Sequence, residues 1–78
     1  MSSERPSPQP ASAFARAVRD AREQAGLSPD ELARQIRLQP SAYAAIERGE
    51  GEVDLELIVS IAGALELSAS ELIGRSGL

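Results

Sequence analysis

Four acids alternate through Glu50, Glu52, Asp54 and Glu56, directly after the run QPSAYAAIERG from Gln39 to Gly49. Alternating carboxylates could form a calcium loop, but that loop needs a glycine at its sixth position and a bidentate acid at its twelfth. Those positions hold Leu55 and Ile61, so no metal site is expected. The chain has no histidine or cysteine, which removes the usual zinc ligands, thiolate chemistry and disulfides. Lysine and threonine are missing too, and the carboxylates lie in a loop without a partner base. Neither an enzyme nor a cofactor is expected from such a set.

What remains is charge and hydrogen bonding. All eight cations are arginine, a side chain suited to gripping phosphate. A bias in genome composition accounts for that usage without any partner. The net charge is −4, and the four acids of residues 50–56 equal the whole excess. A nucleic-acid binder usually carries a basic patch instead.

The elements that must position these groups are marked in the sequence. Residues 1–11, with prolines at 6, 8 and 10, lack apolar periodicity and read as a disordered or polyproline-like tail. A proline-motif ligand is the alternative for that tail. Its polar character is unlike a signal peptide. The longest apolar run, Leu57 to Leu65, is broken at Ser60 and far short of the ~20 residues that span a bilayer. A cytoplasmic protein without membrane contact is expected.

From Ser12 the pattern is helical: Phe14, Val18, Ala21 and Ala25 recur on one face, and Gly26 ends the helix. Ser28 and Glu31 form a capping box around Pro29, flanked by Leu27 and Leu32 as a hydrophobic staple. Ser68 and Glu71 repeat the box between Leu67 and Leu72. A further start is marked at Asp54, with Val53 and Ile58 as staple partners. Five helices follow, at about 12–25, 28–36, 39–48, 54–65 and 68–74, with no strand alternation. The expected fold class is all-α, a domain over residues 12–78 in which only Arg37 and Leu38 join helices two and three. So tight a join forces a steep crossing, the geometry of a helix-turn-helix.

The run from Phe14 to Ile73 resembles the phage-repressor type of helix-turn-helix regulator, the Cro/XRE-like family. The matching residues are Arg19-x-x-Arg22, Gly26-Leu-Ser28, Glu31-Leu-Ala33, Ile46-Glu-Arg-Gly49, Leu55, Ile61-Ala62-x-Ala-Leu65 and Ser68-x-x-Glu-Leu72. The resemblance implies a compact five-helix bundle, with helix two on the backbone of double-stranded DNA and helix three in its major groove. It also implies that Arg22 and Glu47 pair structurally between helices one and three.

The family's base-reading positions fall here on Pro40, Ser41, Ala44 and Ala45, with Gln39 just before them. Of these, Ser41 and Gln39 can hydrogen-bond a base edge, and alanine can only touch a thymine methyl. The backbone-anchoring position at the start of helix two is Pro29, which has no N–H to offer a phosphate. Arg48, Arg34 and Arg37 are candidates for phosphate contact, and Arg5 for a minor-groove arm. Glu50 and Glu52 would face phosphates beside helix three. Arg37 and Glu66 stand where relatives have left-handed glycine, costing about 1 kcal/mol each if that conformation is kept.

The expected function is transcriptional regulation by a dimer on a two-fold DNA site. The alternative is a protein-interaction module on the same fold. Pro40, Ala44 and Ala45 permit close helix approach there, and the acidic loop suits a basic partner. Leu57, Val59 and Leu78 suggest a homodimer seam.

Overall fold

The computed structural model describes residues 10–76, which form five helices and no strand. They are α1 (Pro10–Gln24), α2 (Pro29–Gln35), α3 (Pro40–Glu47), α4 (Leu55–Ala64) and α5 (Ala69–Arg75). The fold is all-α, as expected. No single described helix is long and apolar enough to cross a membrane.

Local chemistry explains each start. Ser28 accepts from the N–H of Glu31 at 3.1 Å, and Glu31 accepts from the N–H of Ser28 at 2.7 Å. Ser68 and Glu71 repeat the box at 3.0 and 2.8 Å. Asp54 caps α4 through the N–H of Leu57. Gln39, at the start of α3, makes no side-chain cap. The first helix begins at Pro10, two residues before the expected Ser12 and inside the expected tail. Proline suits a first helical position because its φ is already helical and its missing N–H is not needed there. Residues 1–9 and 77–78, including Arg5 and Leu78, lie outside the described residues.

One device ends the first four helices. A residue with φ between 59° and 77° follows each: Gly26, Arg37, Gly49 and Glu66. The next N–H then reaches back to a carbonyl in the last turn, as Leu27 does to Arg22 and Leu38 to Ala33. Glu50 N–H does the same to Ala45, and Leu67 N–H to Ala62. Each is a Schellman closure. Arg37 and Glu66 hold the left-handed conformation without being glycine, which costs roughly 1 kcal/mol apiece.

The core gathers Phe14, Val18 and Ala21 from α1, Leu32 from α2, Tyr43 and Ile46 from α3, Ile61 from α4, Leu65 just after it, and Leu72 from α5. α1 packs on α3 and α5, and α2 packs on α3 and α4, so the middle helix has two supports behind it. Two expectations are corrected. Ala25 is exposed because α1 has ended at Gln24, and Ala17 is buried in its place. Leu57 packs half-buried against the core, whereas Leu55 stands exposed beside Val59. Packing of α4 on the core turns Leu57 and Ile58 inward.

Candidate nucleic-acid interface

α3 presents its start to solvent. Gln39, Pro40, Ser41 and Ala42 are exposed, Ala44 and Ala45 are half-buried, and Tyr43 and Ile46 face the core. The hydrogen-bonding side chains Gln39 and Ser41 are therefore accessible. Neither the prolines nor the alanines add polar reach. Pro29 is exposed at the start of α2, with Asp30 and Glu31 beside it in the first turn. Asp30, Arg34, Leu38 and Pro40 line a shallow groove between α2 and α3.

The other end of α3 is fastened to α1. Arg22 donates from Nε to Glu47 Oε2 at 2.7 Å and from Nη2 to Oε1 at 3.3 Å. Its Nη1 donates to the carbonyl of Leu27 at 2.8 Å, holding the turn after α1. The two side chains are only 10% and 12% exposed. The Glu47 hydrogen bond outweighs burial and holds the Arg22 guanidinium even more firmly protonated than usual. Charge-assisted, two-pronged bonds of this kind are the stronger class.

Two further members of this cluster had no assigned role in the sequence. Tyr43 is fully buried and donates its hydroxyl to Glu47 Oε2. Burial first, and the bond to Glu47 second, push its phenol pKa well above the ordinary 10.0. Arg19 donates from Nη1 to the backbone carbonyl of Glu47 at 3.0 Å, so a cation sits at the negative end of α3. The available signal for Tyr43 was spacing, since it and Glu47 are four apart on one helix; Arg19 lies three from Arg22 on one face of α1, which names no partner on α3. Among the described residues no buried side-chain nitrogen or oxygen lacks a partner.

Charge around α3 is mixed. Arg34 and Arg37 are exposed near the turn, and Arg16 and Arg19 border a groove at the far end with Glu47, Arg48 and Glu50. Arg48 is not free: its Nε lies 3.2 Å from Glu50 Oε1, with both side chains more than half exposed. Solvent screening leaves such a pair worth about 0–1 kcal/mol, yet it sets a negative charge beside the arginine. The loop is pinned there, because Glu50 and Gly51 both donate to the carbonyl of Ala45. A Cβ on Gly51 would stand 3.1 Å from Ile46 Cγ1, so the close approach favours glycine.

A model of the helix-turn-helix family matches residues 18–72. Among solved structures, the clp gene regulator ClgR from Corynebacterium glutamicum is 31% identical, with a TM-score of 0.90 and 95% of each chain covered. The restriction-modification controller protein C.AhdI from Aeromonas hydrophila is 34% identical, with a TM-score of 0.76; 80% of this chain and 94% of that chain are covered. NHTF from Neisseria, described as a hypothetical transcription factor, is 31% identical at a TM-score of 0.79, covering 94% of this chain and 85% of its own. No curated protein sequence matches.

Proposed function

The chain belongs to the Cro/C1-type helix-turn-helix family of DNA-binding transcription regulators, and from that premise we propose that it binds duplex DNA through α3 as a pair of copies on a two-fold site. The observation that carries this reading is the posture of α3. Its C-terminal end is clamped by Arg22, Arg19 and Tyr43, while Gln39 and Ser41 at its start are open to solvent. In a helix-turn-helix the N-terminal residues of the second helix contact base edges.

Two hydrogen-bonding side chains read little. A good bidentate base contact contributes about 1–3 kcal/mol of discrimination, and serine supplies less. Two copies on half-sites ~34 Å apart double that reading. DNA shape and phosphate contacts from Arg34, Arg37 and Arg16 would add most of the remaining affinity. Arg48 would contribute once Glu50 releases it. Such a protein would work in the cytoplasm, beside the DNA it reads. A second reading, in which α3 docks a protein instead, draws support from the half-buried Ala44 and Ala45 and from the Arg48–Glu50 pair.

A salt titration of affinity for duplex DNA separates the two. Neutralising each phosphate adds about −0.9 to the log–log slope, so three or four arginine contacts per copy give a slope of about −3 per copy, or about −6 for the two-fold complex. Absence of binding at low salt, to random duplex and to a selected operator alike, would remove the DNA reading.

A further inference from the structure

We propose that the exposed edge of α4, centred on Leu55 and Val59, docks a basic amphipathic segment of another protein. Leu55 and Val59 are one helical turn apart on the same face and are 67% and 53% exposed, the large hydrophobics left uncovered among the described residues. Gly63 continues the row one turn further on, and nothing lies within 4 Å of where its side chain would begin. A shallow groove at the start of α4 is lined by Glu52, Val53, Asp54, Glu56, Leu57 and Ser60, so carboxylates and apolar groups share its wall.

Charge selects the occupant. From Gly49 to Gly74 the chain carries Glu50, Glu52, Asp54, Glu56, Glu66 and Glu71 and no cation at all. Glu50 is paired with Arg48, Asp54 caps Leu57, and Glu71 closes its capping box. Glu52 and Glu56, which flank Leu55, form no ion pair among the described residues. DNA is repelled by such a rim. A second copy set symmetrically on the strip would bring the acids against themselves, and like charges juxtaposed across an interface cost several kcal/mol. Two side chains also fall well short of the ~800 Å² per partner that a stable dimer buries. A segment with two apolar residues at i and i+4, flanked by arginine or lysine, meets both features. Its binding would be weak and electrostatically steered, as in transient signalling contacts. The interaction leaves α3 free, so it does not depend on the DNA reading.

The test uses the full chain, labelled with ¹⁵N, and a synthetic helical peptide bearing two leucines at i and i+4 among arginines. Its control is the same peptide with arginines replaced by glutamates. Amide shifts confined to residues 52–63, seen with the basic peptide alone, are the expected result. Affinity should fall at least tenfold in the double variant Leu55→Ser/Val59→Ser, and at least tenfold in Glu52→Gln/Glu56→Gln. All four side chains are exposed, and an unchanged melting temperature verifies the fold of each variant. Binding that survives loss of the two apolar groups would be bulk electrostatics and would overturn the proposal. So would shifts centred on α3, or self-association of the chain alone that Leu55→Ser/Val59→Ser abolishes, since the occupant would then be a second copy.

Discussion

Arg22 Nε meets Glu47 Oε2 at 2.7 Å, tying the end of α1 to the end of α3 from positions 25 residues apart. Because both side chains are nearly out of solvent, removing one strands the other. Breaking a buried pair this way costs about 3–5 kcal/mol. Glu47→Gln keeps the shape and one acceptor, so the lower end of that range is expected. For a domain this small each kcal/mol shifts the melting temperature by roughly 4–8 °C. A fall of about 12–25 °C in thermal unfolding followed by circular dichroism is the predicted outcome, and unchanged melting would refute the buried pair.

Tyr43 gives the protein a distinct alkaline limit. Burial, then the bond to Glu47, raises its phenol above the ordinary 10.0, so the folded state keeps a proton that the unfolded chain sheds. The stability linked to that proton is therefore full below pH 10. It declines as pH rises from there through the folded pKa, by up to about 1.4 kcal/mol per pH unit. The chain has a single tyrosine and neither lysine nor cysteine to titrate over the same range. Phenolate absorbance should consequently appear together with loss of helical signal, at a pH above 10. Tyr43→Phe should flatten that limb, at a cost of about 1.5–3 kcal/mol at neutral pH for the lost bond to a charged acceptor. Phenolate that forms while the helices stay intact would contradict this.

The helices and the fold were legible because their signals are local. Ser28 with Glu31, Ser68 with Glu71, and Asp54 each declare a helix start within four residues, and caps compete directly with water for free backbone groups. The helix-turn-helix could be recognised because residues from Arg19 to Leu72 match the Cro/XRE-like pattern in order, whereas a short α2–α3 join alone also occurs in purely structural helix pairs. Other features depend on three-dimensional reach. Nothing in the spacing of Arg19 says that its guanidinium covers the last carbonyl of α3. Leu55, Leu57, Ile58 and Val59 form a nearly unbroken apolar run, so periodicity alone cannot choose which of them faces in. The packing of α4 chose Leu57 and Ile58. The pairing of Arg48 with Glu50 was hidden for a different reason, because it depends on the loop folding back onto Ala45.

Arg37 and Glu66 offer a paired test of backbone strain and DNA contact. Both sit near φ 60°, so glycine at either position should relieve the left-handed strain. Glycine's extra unfolded-state entropy offsets most of the roughly 1 kcal/mol of strain, so the net gain is at most about 0.5 kcal/mol. Glu66→Gly should raise the melting temperature by at most a few degrees and leave DNA affinity unchanged. Arg37→Gly should be similarly stabilised while its salt slope for DNA becomes shallower by about one contact per copy. Equal DNA binding by wild type and Arg37→Gly would remove Arg37 from the interface.

The acidic loop makes the last prediction, and it runs against the usual direction of interface mutations. Glu50 holds Arg48 by an exposed pair at 3.2 Å, and the backbone bonds to Ala45 keep the carboxylate at the flank of α3. In the DNA complex that carboxylate would stand near phosphates while withholding a cation from them. Glu50→Gln removes the charge and frees the guanidinium without disturbing the loop's backbone bonds. Affinity for duplex DNA at low salt should therefore rise, by on the order of threefold to tenfold per copy, and the salt slope should steepen by about 0.9 per copy as Arg48 joins the phosphate contacts. The gain should shrink as ionic strength rises and the Debye length falls below ~8 Å. Arg48→Gln in the same background should return both quantities to the parent values. If Glu50→Gln leaves affinity and slope where they were, the far end of α3 does not approach the phosphate backbone.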